Sequence, residues 1–224
     1  MLPPQRNQLV WPTWSAWQQL LERPWDTQAR ALLLRWQTAQ WPLVVTTQRA
    51  GPAPDTLSVG LPAPTALGRR KLALELPVNG VAHCQDFPDW SVIASTLAPD
   101  TALQLQVRKL SDAGTTLQVY GSFAWQYMTG LAYVHPDSDL DLRLCVPSHA
   151  VACAVVRLLE NADANTRSPL RLDGELAFPD GSAIAWREYL QWVNGKVSQV
   201  LVKSRAGVAL HTLPVAAREQ PCCV

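Results

Sequence analysis

Between Ser138 and Leu144 acids and leucines take turns: Asp139, Leu140, Asp141 and Leu142, with Leu144 two places on. A period of two marks a β-strand whose faces differ in polarity, because successive side chains point to opposite sides. A strand is therefore expected over 138–146, with Leu140, Leu142 and Leu144 in a core and Asp139 and Asp141 side by side opposite. Two adjacent carboxylates repel, and each favours its protonated form unless something positive stands between them. A divalent cation resolves that conflict, and hard carboxylate oxygens suit Mg²⁺ (or Mn²⁺). Taken alone, the same triplet also describes a half-exposed edge strand with two solvated acids.

A second feature lies just upstream. Residues 116–120 are β-prone, Gly121-Ser122 follows, and 123–129 reads as a helix. A glycine between strand and helix lets the backbone come close to a phosphate. The helix start offers free N–H groups and the positive end of its dipole, and Ser122 adds a hydroxyl. A phosphate cradle followed by an acidic strand supplies both halves of a nucleoside-triphosphate site.

Composition narrows what else the chain can be. Its 224 residues are 48% hydrophobic and 17% charged, which suits a globular protein with a sizeable core. The net charge of +1 gives no field for coating a nucleic acid polymer, so an anion site must come from local geometry. No apolar run approaches the ~18 residues of a membrane span. The opening Met-Leu-Pro-Pro-Gln-Arg has no signal-peptide core, so neither secretion nor a membrane partner is expected. Cys84, Cys145, Cys153, Cys222 and Cys223 form no CxxC pair, which suggests reduced thiols in a cytoplasmic protein. His83, His135, His149 and His211 are scattered and read as structural or solvated. His135, just before the acidic strand, is the best placed of them.

The two halves of the chain differ. Six of the ten tryptophans fall in the first 41 residues. Thr13 is expected to cap a helix carrying Trp14, Trp17 and Leu21, and Asp26 a second with Ala29, Leu32, Leu33 and Trp36 along one face. Tryptophans at helical spacing are mostly core filler. β-rich runs at 42–48, 56–61 and 71–76 follow, separated by the Pro/Gly stretches 51–54 and 62–68. Residues 1–87 are thus expected to form a small α+β domain for substrate or partner binding. Its one dense basic cluster, Arg69-Arg70-Lys71, is either a solvated turn or a phosphate clamp or docking patch. From 88 to 224 a second domain is expected, with helices from Asp89, Asp100 and Ser148, a hairpin at Pro179-Asp180-Gly181, a helix through Trp192, and strands over 197–203 and 208–212. The fold class is α+β, the second domain having a mixed sheet flanked by helices.

Gly121-Ser122 followed by Asp139-Leu140-Asp141-Leu142 resembles the signature of the polymerase-β-type nucleotidyltransferase superfamily. The gap between them is longer than usual there, which places a longer loop around 131–136. More narrowly, VYGSFAWQYMTGLAYV, SDLDL, RLDGELAF, AWRE and VLVKS are similar to the phosphoribosyl-dephospho-CoA transferases of malonate decarboxylase, the holo-acyl-carrier-protein synthases, over most of the chain. That resemblance implies Asp139 and Asp141 as the catalytic, metal-holding pair. It also implies a third carboxylate from a later strand, for which Asp173 and Glu175 both stand, with Asp173 slightly ahead as a metal ligand. Gly121, Ser122, Arg187 and Lys203 would then meet phosphate oxygens, and Trp125 either packs in the core or stacks on adenine. The implied donor is 2′-(5″-triphosphoribosyl)-3′-dephospho-CoA, the acceptor a serine of the acyl-carrier subunit, and the by-product pyrophosphate. Two other readings remain open: an ATP-dependent adenylyltransferase, and a non-catalytic carrier-binding module.

Overall fold

The computed structural model describes residues 3–48, 55–165 and 170–213, so the stretch 51–54 and the Cys222-Cys223 pair lie outside the described residues. The architecture is α+β in two compact units. One comprises Met1–Phe87 with Met128–Tyr133 and Arg205–Gly207; the other comprises Pro88–Tyr127, Val134–Ser204 and Val208–Val224. The two short segments that group with the first unit are not foreshadowed by composition.

The first unit contains β1 (Leu9–Pro12), α1 (Trp14–Leu21), α2 (Thr27–Ala39), β2 (Leu43–Val45), β3 (Thr56–Pro62), β4 (Lys71–Pro77) and β5 (Val81–Gln85). Its antiparallel sheet has the order β4-β3-β2-β1-β5. The helices start where the sequence provides side-chain acceptors for orphan N–H groups: Thr13 accepts from Ala16 N and Asp26 from Ala29 N. Strand β4 alternates, with Leu72, Leu74 and Leu76 buried against Leu20, Leu33 and Trp36 in one core. Strands β1 and β5 were not evident in the sequence. β1 ends in a proline, and the edge strand β5 is largely exposed, so neither shows a two-residue hydrophobic period.

The second unit contains α3 (Trp90–Ala94), α4 (Thr101–Asp112), β6 (Thr116–Val119), the start of α5 (Gly121–Thr129), β7 (Leu140–Cys145), α6 (His149–Asn165), β8 (Leu172–Ala177), β9 (Ala183–Ala185), α7 (Trp186–Val193), β10 (Val200–Lys203) and β11 (Val208–His211). The sheet order is β11-β10-β9-β8-β7-β6. Only β7 and β8 are parallel, and α6 makes the crossover between them. Leu140, Leu142 and Leu144 are at most 1% exposed, which anchors one face of β7 in the core with Val155, Val156 and Leu159 of α6. Several boundaries differ from the sequence expectation. α5 begins at Gly121, β7 begins at Leu140 and so leaves Asp139 just before the strand, and α7 begins at Trp186, which puts Arg187, expected just after a hairpin strand, on a helix. A Cβ on Gly174 would overlap the backbone of Leu142, so the close approach of β8 to β7 requires a glycine there.

Candidate active site

Strand register decides which side chains meet. β7 and β8 pair with Asp141 opposite Asp173 and Arg143 opposite Glu175, so those four side chains leave the sheet on one face. One step earlier Leu140 N donates to Arg171 O at 2.9 Å, which brings Asp139 beside Arg171 on that same face. Asp139 and Asp141 thus project together, opposite the buried leucines.

Gly121 adjoins this face. It adopts φ +65°, and a Cβ on it would overlap the Asp141 carboxylate. Tyr120 N, the residue before, donates to Asp141 O at 3.0 Å. The start of α5 therefore rests against Asp141, and only glycine allows so close an approach in that backbone conformation. Ser122 follows, half-buried, on the first turn of α5. The chain makes a helix start and a carboxylate meet at a single point.

The two aspartates differ electrostatically. Burial pushes Asp141 up to about 6, and the charges of Asp173, Asp139 and Glu175 push in the same direction against Arg171. Asp139 is held below the ordinary carboxylate range, chiefly by its hydrogen bonds with Arg171. That pairing is two-pronged: Arg171 Nε donates to one Asp139 oxygen at 2.7 Å and Nη2 donates to the other.

The remaining side chains separate into two groups. Arg187 donates from Nη2 to Leu172 O at 3.1 Å, lies over the Trp186 ring at 4.2 Å, and contributes to the field at Asp139. Glu175 is 2% exposed and accepts from Lys203 Nζ at 3.4 Å, a buried ion pair on the same face. Asp173 is half-buried and directly beside Asp141. Trp125 is 5% exposed and belongs to the core. His135 serves a tight turn: its N–H donates to Ser138 Oγ at 3.0 Å and its carbonyl accepts from Ser138 N at 2.9 Å. In the other unit Arg70 of the basic cluster is engaged by Asp26 at 2.8 and 2.5 Å.

Arg171 is the residue that sequence reasoning passed over. Extending the alternation of Asp173 and Glu175 back by two positions reaches it, but its partner follows only from the parallel register. The assembled face offers oxygen donors from Asp139, Asp141 and Asp173, the guanidinium groups of Arg171 and Arg187, and a helix start, while Arg143 donates to Gln118. Such a set can hold and orient a polyanionic ester. Among the described residues no three His, Cys, Asp or Glu side chains stand close enough to enclose a metal ion by themselves. No helix among them is long and apolar enough to cross a membrane.

Comparison with known proteins covers nearly all of the chain. Residues 5–87 match the family model described as the N-terminal domain of phosphoribosyl-dephospho-CoA transferase MdcG, and residues 90–214 match the model of its C-terminal domain. A phosphoribosyl-dephospho-CoA transferase of Xanthomonas axonopodis pv. citri is 38% identical over 215 residues, 95% of either chain. One of Bradyrhizobium diazoefficiens is 37% identical over 216 residues, 93% of this chain and 90% of the relative. Another, of Pseudomonas aeruginosa, is 31% identical over 183 residues, 77% and 79% of the respective chains. No solved structure matches.

Proposed function

Because the chain belongs to the phosphoribosyl-dephospho-CoA transferase family, we propose that it loads the acyl-carrier subunit of malonate decarboxylase with its prosthetic group, by nucleotidyl transfer from 2′-(5″-triphosphoribosyl)-3′-dephospho-CoA. The observation that carries this reading is the contact between Gly121 and the Asp141 carboxylate, with Asp139 and Asp173 alongside. It brings together a helix start, a kind of backbone suited to phosphate, and a group of acids.

In the reaction the carrier serine Oγ attacks the phosphorus nearest the ribose. A P–O bond to serine forms as the bond to the bridging oxygen of the departing pyrophosphate breaks. The serine proton passes to a carboxylate, and Asp173 suits that task better than Glu175, which Lys203 already engages. The N–H groups at the start of α5 and the Ser122 hydroxyl bind the triphosphate, with Arg187 adding charge from α7. Arg171, 61% exposed, can leave Asp139 for the incoming triphosphate without disturbing a packed core. Transfer of this kind depends on positioning and charge neutralisation more than on covalent help from the protein.

The donor set suits a hard divalent cation. Mg²⁺ is characteristically held by one or two carboxylates together with substrate phosphates and water, which agrees with a site where protein ligands alone do not enclose an ion. Asp141 is raised first by burial and then by the charges of Asp173, Asp139 and Glu175, and a cation would relieve the latter. Asp139 and Asp141 would hold it, with Asp173 beside them to take the serine proton. When bound, Mg²⁺ or Mn²⁺ would polarise the attacking oxygen and neutralise the departing pyrophosphate.

Intact-mass measurement of apo acyl-carrier subunit tests the reading. Incubation with the triphosphoribosyl donor is expected to add one phosphoribosyl-dephospho-CoA group per carrier, and incubation with ATP to add nothing. An adenylyl mass appearing from ATP, with none from the donor, would overturn it.

A further inference from the structure

The acid-bearing face of the second sheet does not end at the site. Directly opposed residues on neighbouring strands share a face. The face carrying Asp173, Glu175 and Ala177 therefore continues through Ala183 of β9 and Lys203 of β10 to Val208 of β11. Leu201 and Leu210, an opposed pair two positions along, lie on it too. The Lys203–Glu175 ion pair agrees, because it needs β8 and β10 to present these side chains to one side.

Beyond that ion pair the face turns apolar and open. Leu201 is 36% exposed, Val208 52% and Leu210 62%, whereas Val200, pointing to the opposite side, is fully buried. Val92, Leu105 and Tyr127 are exposed as well, but each lies on a different helix. Exposed apolar side chains are ordinary when scattered and point to an interaction when they adjoin. β11 is also the last strand of its sheet, with none beyond it among the described residues. Lysine, an acid or proline ordinarily guards such an edge, and Val208-Ala209-Leu210-His211 has none of them.

Position and size define what covers this strip. β10 and β11 stand two and three strand spacings from β8, about 10 and 14 Å, so a body resting on the strip also overhangs the acids. A stable dimer buries about 800 Å² per partner, more than three partly exposed aliphatic side chains supply. A small apolar contact beside a reactive face suits a partner that arrives, reacts and leaves. The donor, rich in phosphate, gains little from leucines; the acceptor is a protein that must present its serine to this face at every turnover. We infer that Leu201, Val208 and Leu210 form the docking strip for the acyl-carrier subunit, receiving an apolar patch beside its reactive serine. The inference rests on the carrier being the acceptor proposed above.

Calorimetric titration of the full-length protein with apo carrier, together with steady-state transfer kinetics, tests this. Leu210→Gln, of similar length but polar, is expected to weaken carrier binding and raise the KM for carrier at least fivefold. The KM for the donor, and kcat at saturating carrier, should stay within twofold, a split that a general loss of structure does not produce. Leu210→Met should bind carrier as the parent does, and Leu105→Gln, on α4, should change nothing. Val208→Gln decides the matter if circular dichroism shows Leu210→Gln to be misfolded. Parental carrier affinity in both polar variants would overturn the inference. So would a parent that sediments as a dimer while Leu210→Gln is monomeric with unchanged carrier affinity, and that result would give the strip to a second copy of the chain. Leu210-dependent carrier binding without transfer would retire the proposed reaction alone; transfer with Leu210-independent binding would retire this inference alone.

Discussion

Arg171 grips Asp139 with two nitrogens, Nε at 2.7 Å and Nη2 on the other oxygen, across the mouth of the parallel pair β7 and β8. The guanidinium therefore stands on the carboxylate that the proposed cation needs. An ion has to displace it, and the released guanidinium is then available to the triphosphate.

Replacing that guanidinium removes a competitor. Arg171→Met is expected to tighten Mn²⁺ binding roughly three- to tenfold, the equivalent of about 1 kcal/mol for an exposed pair. The same variant should raise the KM for the donor, because the triphosphate loses a bidentate partner. Mn²⁺ titration followed by electron paramagnetic resonance checks the first effect, and steady-state kinetics the second.

Asp141 gives the fold a pH signature. Its folded value of about 6 exceeds its ordinary 3.8, so the folded state binds the proton more tightly than the unfolded one. Stability from this group is complete below about pH 4 and is lost as pH climbs through about 6. Asp141→Asn should therefore stabilise the metal-free protein at pH 7.5, by about 1–2 kcal/mol after allowance for solvent screening. The gain should fade below pH 4. Urea denaturation at the two pH values measures it; a variant less stable than the parent at pH 7.5 contradicts the assignment.

Gly121 has no room for a side chain. Gly121→Ala places a methyl group on the Asp141 carboxylate in a left-handed backbone conformation. A loss of about 1–3 kcal/mol in stability is expected, with transfer reduced at least a hundredfold because the helix start and the acid are pushed apart. Thermal unfolding and transfer kinetics are the checks.

Asp173 and Glu175 should separate by phenotype. Asp173→Asn is expected to leave Tm nearly unchanged and to cut kcat strongly. Lys203→Met removes the cation facing the buried Glu175 carboxylate, which should cost about 2–4 kcal/mol. Adding Glu175→Gln should restore most of that stability. Comparing Tm with kcat across the four proteins distinguishes the proton acceptor from the structural ion pair.

Local periodicity made much of this legible. The alternation from Asp139 to Leu144 identified a strand and the face each residue takes, and Thr13, Asp26 and Asp100 announced their helices because capping is a property of a few adjacent residues. What stayed hidden depends on contacts distant in sequence. Arg171 meets Asp139 only because β7 and β8 are parallel and in that register. Glu175 is told from Asp173 by Lys203, 28 residues further on. The Arg69 to Lys71 cluster looked like a uniform basic turn, yet Arg70 is held by Asp26, 44 residues earlier, and its guanidinium keeps that carboxyl down at about 2. An edge strand such as β5 has too little burial to leave a pattern at all.

The most direct test of the account is the single-turnover rate of carrier modification by Asp139→Ala and Asp141→Ala, each shown to be folded by circular dichroism. Both are expected to lose at least a thousandfold in rate at saturating donor and Mg²⁺. Parental rates in both variants would contradict the claim that these two carboxylates, beside the Gly121 turn, are where the chemistry happens.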